Sequence, residues 1–139
     1  MGRRWEARPR WRLTRGGEIA LGPGKTDLLE AIHRSGSISA AARSLGMSYR
    51  RAWMLVETMN RCFVGPLVVT SKWRGRGASL SDRGREVLAL YRALERDSRR
   101  ASRKTLRRLL SLVSRTAHGR ASRTPGVRSL SPSGDVKHR

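Results

Sequence analysis

An alanine-rich block followed by a glycine and two adjacent arginines constrains the fold of this chain more than any other stretch. Residues 37–53 read SISAAARSLGMSYRRAW. The alanines favour a helix that packs closely on a neighbour. Gly46 supplies a left-handed residue that can end this helix, and Ser48 is a good N-cap for another. The spacing therefore predicts two helices joined by a tight turn, with Arg50 and Arg51 in the first turn of the second helix.

A third helix is expected before this pair. Residues 25–36 carry apolar side chains at helical spacing and end on a glycine, which indicates a helix that closes at Gly36. Either Ser37 or Ser39 can cap the alanine-rich helix that follows. The helix after the turn has one apolar stripe that can pack on the other two helices, and this stripe consists of Ala52, Val56, Met59 and Phe63.

Short strand-like runs lie on both sides of the three helices. The segments RWRLT and EIAL flank Gly16-Gly17 and predict a small hairpin. The segments LVVTSKW and ASLS flank RGRG and predict a second hairpin after the third helix. Three cations lie near its tip, namely Lys72, Arg74 and Arg76. Ser81 and Asp82 then begin a last helix.

The length of that last helix is open from the sequence. Its apolar positions Leu88, Tyr91 and Leu94 recur as leucines eighteen residues further on, which is about five helical turns. A long helix with a thin apolar stripe usually buries the stripe on a partner, so we expect a dimer contact formed by Val87, Leu88, Tyr91 and Leu94. In the alternative, the helix ends near Arg96 and LRRLLSLV is a separate amphipathic segment.

Amino-acid composition divides the chain into four parts. Residues 1–9 are predicted to be a flexible basic arm, and residues 10–95 a folded domain. Residues 96–113 are a possible extension of the last helix for dimerisation. Residues 114–139 are Ser, Arg, Gly and Pro with few apolar side chains, which predicts a disordered basic tail. Trp5 lies in the first of these parts and Trp11 just after it. Both could stack on bases, although a mobile arm is the plainer explanation of both.

The charge of the chain narrows its possible partners. The 139 residues carry 31 Lys and Arg against 10 Asp and Glu, a net charge of +21. Such a surplus favours nucleic acid, with an anionic membrane surface as the rival. Glu57 is the one acidic residue between Glu30 and Asp82. Because this acid-poor interval coincides with the helix pair and the basic hairpin, the sequence predicts a DNA-binding face there.

Other classes of protein are disfavoured by what the sequence contains. No apolar run approaches the roughly 20 residues that cross a bilayer, and the single Cys62 fits a reducing cytoplasm. No grouping of Ser, His, Asp or Cys suits nucleophilic catalysis, and no loop suits a nucleotide phosphate. His33 has no partner at the spacing of metal ligands. We therefore expect neither an enzyme nor a bound cofactor or metal.

Double-stranded DNA is the expected partner. The second helix of a helix-turn-helix lies in the major groove with its first residues on base edges, where arginine binds guanine or a phosphate. Trp53 and Tyr49 are ambiguous, since both can equally be half-buried scaffold. The predicted DNA-contacting residues are Ser39, Ser48, Tyr49, Arg50, Arg51, Trp53, Met54, Lys72, Arg74 and Arg76.

A family resemblance rests on the same residues. The run LLEAIHRSGSISAAARSLGMSYRRAWMLVETMN, then PLV, a Gly/Arg-rich wing and LSDRG, resembles the DNA-binding domain of the molybdate-responsive ModE repressors. It is more distantly similar to LysR-type domains. The resemblance covers roughly residues 10–95. It implies a mainly α protein with small β hairpins, namely a winged helix-turn-helix with a C-terminal dimerisation helix, acting as a homodimer on palindromic operators.

The resemblance does not imply every property of the family. Members that sense molybdate carry a long C-terminal region of small barrel domains, whereas residues 114–139 show no strand pattern. We therefore do not expect molybdate binding. Two alternatives to a sequence-specific regulator remain, namely a non-specific architectural nucleic-acid binder and a protein-interaction module. Salt dependence and competitor DNA separate the sequence-specific regulator from the non-specific binder, because non-specific binding is almost entirely phosphate contact.

Overall fold

A computed structural model describes residues 4–71 and 77–113 of the chain. Within these residues the fold is mainly helical, with two antiparallel hairpins and four helices in the predicted order. The elements are β1 Leu13–Arg15, β2 Glu18–Leu21, α1 Pro23–Ser35, α2 Ile38–Ser44, α3 Tyr49–Cys62, β3 Val68–Ser71, β4 Gly77–Leu80 and α4 Asp82–Leu110.

Helix α1 begins earlier than its apolar periodicity predicts. Pro23 occupies the first turn, where its missing N–H costs nothing. The buried hydroxyl of Thr26 donates a 2.7 Å hydrogen bond to the carbonyl of Gly22. At the other end Gly36 adopts a left-handed φ of 71° and its N–H donates to Ile32. The predicted end at Gly36 is thus confirmed, and the start moves two residues upstream.

The turn between α2 and α3 has the predicted geometry. Ser37, and not Ser39, caps α2, since its hydroxyl accepts from the N–H of residue 40 at 3.2 Å. Gly46 has φ of 66°. The N–H of Met47 donates to Ala42 across this glycine at 3.0 Å, which is the wide bond of a Schellman motif. The turn therefore satisfies the last carbonyls of α2 and aims α3 away from it.

One core holds the three helices together. Helix α1 packs on α2, α3, α4 and β4. The alanines of α2 permit close approach because they present only a methyl group. From the predicted stripe of α3, Phe63 caps the C-terminus and packs only partly on the core. The most fully enclosed side chains are Thr26, Leu28, Leu29, Ile32, Val56, Met59 and Leu67.

The second hairpin is attached to the helices by hydrogen bonds as well as by packing. Val68 pairs with Leu80 in the antiparallel register, and both are buried. The N–H of Ala78 donates to the carbonyl of Gly36 at 2.9 Å. Strand β4 is thereby tied to the end of α1, so this hairpin stands in a defined position beside the helix-turn-helix.

Helix α4 is continuous from Asp82 to Leu110, so the long-helix alternative is the one that the structure has. Its 29 residues span about 44 Å. The hydroxyl of Ser81 caps it by accepting from the N–H of Gly84 at 3.0 Å. Gly84 is buried, and a β-carbon there would lie 2.1 Å from the carbonyl oxygen of Leu67. Only glycine allows the start of α4 to approach that backbone so closely.

Two of the four expected dimer residues lie in the core of this chain. Val87 and Tyr91 belong to the core of this chain, because the first turns of α4 pack on α1 and the hairpin. Leu88 packs partly on the same core, and Leu94 is half-buried. Val87, Tyr91 and Leu94 also line a small apolar groove, so the expected dimer contact stays a prediction. The exposed leucines of this region are instead Leu90, Leu109 and Leu112.

The segment before β1 runs beside α4. The indole N–H of Trp11 donates to the hydroxyl of Ser98 at 2.7 Å, and the hydroxyl of Tyr91 donates to the carbonyl of Trp11 at 2.9 Å. A groove of about 980 Å³ separates residues 7–11 from residues 98–110. The interpretation of Trp11 as part of a mobile arm is therefore wrong, since two hydrogen bonds hold it on α4.

Several expectations fall on residues that the structure does not describe. They concern Lys72, Arg74 and Arg76 at the tip of the second hairpin, the first three residues of the arm, and the tail at residues 114–139. In the parts of the chain that are described, no helix has the length and apolarity needed to cross a membrane.

Candidate nucleic-acid interface

The exposed face of α3 is the centre of the candidate interface. Successive helical residues are about 100° apart, so the buried side chains Ala52, Val56 and Met59 define one face. The opposite face carries Arg50, Met54, Glu57 and Arg61, all exposed. We call these four residues and Arg51 at their edge the outer face of α3. Helix α3 lies between the turn and the second hairpin in the sequence. Its exposed arginines and its exposed apolar side chain suit the major groove of DNA.

The two arginines of the first turn are available for a partner. Arg50 and Arg51 are exposed, and within residues 4–71 and 77–113 neither forms a salt bridge. Arg61 differs, because its guanidinium is paired with the carboxylate of Glu18 on β2. That hydrogen bond raises the pKa of Arg61 above its ordinary value. Among the arginines of α3, those without a salt bridge in the described residues therefore lie at its N-terminal end.

Ser48 organises this end of the helix. Its hydroxyl oxygen accepts from the N–H of Arg51 at 3.1 Å, and its own O–H points to no described partner. The other predicted serine, Ser39, is exposed in the first turn of α2. These two serines lie at the starts of the two helices that form the turn. Both are thus accessible to a phosphate on the DNA backbone.

Tyr49 and Trp53 form a pair along one edge of α3. Their rings meet edge to face, with centroids 6.2 Å apart and planes at 83°. Trp53 is half-buried and packs against the core, whereas Tyr49 is exposed. Edge-to-face pairs stabilise one another. The geometry favours the scaffold interpretation for Trp53, and it leaves the hydroxyl of Tyr49 accessible.

Lys25 adds a cation that sequence reasoning missed. It lies in the first turn of α1 and is partly buried. Burial lowers the pKa of Lys25, and the nearby positive charge of Arg51 acts in the same direction, while Glu18 and Cys62 oppose it. These couplings place Lys25 near β2 and α3, and Cys62 and Glu18 act on it more strongly than Arg51 does. Only the fold could reveal this proximity, because 26 positions separate Lys25 from Arg51 in the sequence.

Carboxylates gather on a different side of the molecule. Asp27, Glu30 and Glu95 all accept hydrogen bonds from the guanidinium of Arg92, at 3.1, 2.7 and 2.8 Å. Burial by itself would lower the pKa of Arg92, but the three hydrogen bonds outweigh it and raise that pKa. We call this cluster between α1 and α4 the carboxylate seam. It keeps most acidic side chains of α1 away from the outer face of α3.

Asn60 positions the hairpin relative to α3. Its side-chain oxygen accepts from the N–H groups of Leu67 and Val68 at 2.9 and 3.1 Å, and its side-chain nitrogen donates to the carbonyl of Val68 at 3.1 Å. These three hydrogen bonds of one half-buried amide hold the start of β3 beside α3. The sequence analysis did not single out Asn60, since nothing in its neighbours indicates a backbone partner seven residues away.

No described cluster suggests a metal or cofactor. In the chain from residue 4 to 71 and from 77 to 113, no three His, Cys, Asp or Glu side chains are grouped to hold an ion. His33 is exposed on α1. The chemistry offered by this surface is therefore hydrogen bonding, charge and apolar contact.

Comparison with known proteins agrees with this geometry. Residues 25–85 match the model of the family described as bacterial regulatory helix-turn-helix protein, lysR family. The chain is 46% identical over 78 residues to the molybdenum transport protein ModE of Azotobacter vinelandii. The aligned residues cover 55% of this chain and 29% of that protein. It is 36% identical over 81 residues to the DNA-binding transcriptional dual regulator ModE of Escherichia coli strain K12. Here the aligned residues cover 57% of this chain and 31% of that protein.

These matches concern one part of longer proteins. The chain spans 29% and 31% of the lengths of the two relatives. Among solved structures, the crystal structure of ArgP from Mycobacterium tuberculosis is similar over 59% of this chain and 30% of that chain, with a TM-score of 0.45 and 23% sequence identity. The predicted resemblances to ModE and, more distantly, to LysR-type domains are confirmed. Residues 25–85 therefore match a bacterial helix-turn-helix family described as lysR, and the chain is similar over 55% of its length to part of a ModE protein.

Proposed function

We propose that this protein is a sequence-specific DNA-binding transcriptional regulator that acts in the cytoplasm. The observation that carries the proposal is the pair Arg50 and Arg51, exposed and without salt bridges in the described chain, in the first turn of the second helix of a matched helix-turn-helix. A guanidinium held there can form two hydrogen bonds to guanine O6 and N7. Binding, and not catalysis, is the activity that such a surface supports.

In this proposal α3 enters the major groove and the neighbouring elements hold the backbone. Ser39, Ser48 and Tyr49 bind phosphates near the two helix starts. Lys72 and its neighbours Arg74 and Arg76, which connect β3 to β4, bind phosphates across the adjacent backbone. The attachment of that hairpin through Asn60 and Gly36 supports its role as a wing. Phosphate contacts set position and orientation, while the residues of the outer face of α3 read bases.

We further propose that the regulator binds as a homodimer on a palindromic operator. The support is the length of α4, whose distal turns extend past the domain with exposed leucines Leu109 and Leu112. The small side chains of Ala101 and Ser102 lie between them and the core and permit close approach, whereas Ser98 is bonded to Trp11 of the same chain. Two copies related by a two-fold axis would present two α3 helices to two half-sites.

The charge of distal α4 gives this dimer an unusual dependence on salt. From residue 96 to residue 110 the helix carries seven Arg or Lys and one Asp. Two such helices repel each other at low ionic strength, and salt screens the repulsion because the Debye length falls to about 10 Å at 0.1 M. Self-association should therefore strengthen with salt while DNA binding weakens. Sedimentation of the full chain across a salt series tests this, and a monomer at every salt concentration would refute the dimer.

Selection of bound duplexes from a random DNA pool tests the function itself. A specific regulator should enrich one sequence in two inverted copies and prefer it by roughly 10³-fold or more over random DNA. The competing candidate is a non-specific nucleic-acid binder, which the net charge of +21 favours. That candidate predicts no enriched sequence and an affinity that depends on salt alone. If the chain bound no DNA at all, a protein-interaction module would be the one candidate function left.

A further inference from the structure

Met54 is the anomalous residue of the outer face of α3. Its side chain is 58% exposed, and the structure describes all of α3. Its helical neighbours on this face are charged, with Arg50 one turn before it and Glu57 nearly one turn after it. Tyr49 and Trp53, whose rings pair edge to face, precede it on the same helix. A large exposed apolar side chain in the middle of a charged surface marks a place where a partner can be contacted.

The function proposed above gives this exposed side chain a specific contact. In the major groove the distinguishing apolar group is the C5-methyl of thymine, which apolar side chains contact. We propose that Met54 determines specificity by packing its thioether side chain on a thymine methyl group in each half-site. This inference rests on the proposed function, and it adds the base and the chemical group that this residue reads.

Helix geometry places that thymine near the base read by Arg50. The two residues are four positions apart, or about 6 Å along the helix axis. Successive bases of a strand rise about 3.4 Å, so the thymine lies roughly one or two base steps from a guanine bound by Arg50.

Replacing thymine by deoxyuridine tests the contact, because it removes the methyl group and keeps the base pair. With an operator obtained by selection, each thymine is replaced in turn and the affinity of the full chain is measured. We expect one position per half-site at which the affinity falls roughly fourfold, as for one buried methyl group. With Met54→Ala the same replacement should change affinity by less than twofold, since the partner of the methyl group is gone.

Two further variants make the result specific. Met54→Leu keeps an apolar side chain and should retain the preference for thymine over deoxyuridine. Val64→Ala removes apolar surface at a residue that is 82% exposed but lies beyond the end of α3, and it should leave every deoxyuridine effect unchanged. Circular dichroism of each variant verifies that helix content is preserved.

The outcomes separate this inference from the function on which it rests. A deoxyuridine-sensitive position that disappears only in Met54→Ala establishes the contact. An operator with clear sequence preference but no such position, or one equally sensitive in both proteins, overturns the role of Met54 and leaves the regulator intact. Failure to select any operator overturns both proposals.

Discussion

Arginine serves opposite purposes on α3 and in the carboxylate seam. Arg92 is 27% exposed and donates hydrogen bonds to three carboxylates that join α1 to α4. Arg50 and Arg51 are exposed and have no carboxylate partner in the part of the chain that the structure describes. The charge of Arg92 is thus neutralised within the fold, whereas the charges of Arg50 and Arg51 stay available to a partner.

The difference lies in where the acids are placed. Charge that is neutralised within the fold contributes to stability and does not attract a partner. Charge left unpaired raises the local potential and draws in a polyanion. The net charge of +21 is therefore a poor guide to function without the positions of the 10 acidic residues. The comparison predicts that substitutions in and around the seam change stability, and those on α3 change DNA binding.

The largest effect is expected where α4 starts, against the second hairpin. Gly84→Ala places a methyl carbon 2.1 Å from the backbone oxygen of Leu67, which cannot turn aside as a side chain would. We expect a loss of about 3 kcal/mol in the free energy of unfolding, at the upper end of typical overpacking. Urea denaturation measures it. The matched control is Gly24→Ala in α1, where a new β-carbon meets nothing within 4 Å, and it should be neutral or slightly stabilising.

The next effect separates binding from stability. Arg50→Ala or Arg51→Ala should weaken operator binding by about 1–3 kcal/mol and relax preference at one base position. Stability should change little, because neither side chain has a described salt bridge. Fluorescence anisotropy with operator and random duplexes measures both affinities. Equal losses on the two duplexes would show that these residues bind phosphates only.

A smaller effect is expected for the paired arginine. Arg92→Ala should cost about 1 kcal/mol of stability, because the pair is partly solvated and its loss leaves three carboxylates repelling one another. Operator affinity should stay unchanged. Arg96→Ala, an exposed arginine on the next turn of α4, controls for loss of charge alone. A loss of DNA affinity in Arg92→Ala without loss of stability would abolish the distinction drawn between the two regions.

The smallest expected effect is that of molybdate. A ligand changes DNA affinity only by binding two states of the protein differently, which requires a site. The region matched to the ModE relatives is under a third of their length, and the prediction concerns residues 1–139 alone. Molybdate and sulfate at equal ionic strength should therefore lower DNA affinity equally, as counter-ions. A saturable molybdate site in calorimetry of the DNA-free protein would contradict this.

The order of elements and much of the candidate interface could be predicted from the sequence. Helix caps, left-handed glycines and apolar periodicity are local signals, which is why the turn at Gly46 and the cap at Ser48 were predicted correctly. The exposure of Arg50, Arg51 and Met54 followed from the same periodicity. Local patterns indicate which face of a helix is apolar. They do not indicate what that face packs against.

Tertiary structure decided the remaining features, because each depends on groups distant in the sequence. Val87 and Tyr91 carry a pattern that suits a partner helix, yet they pack inside their own chain. Asn60 binds backbone seven and eight residues away, and Trp11 is bonded to a serine 87 positions along the chain. The carboxylates of α1 meet Arg92 only after α4 folds against α1. The sequence by itself determined the helix-turn-helix and its basic surface, whereas packing between elements determined which charges and apolar faces remain free.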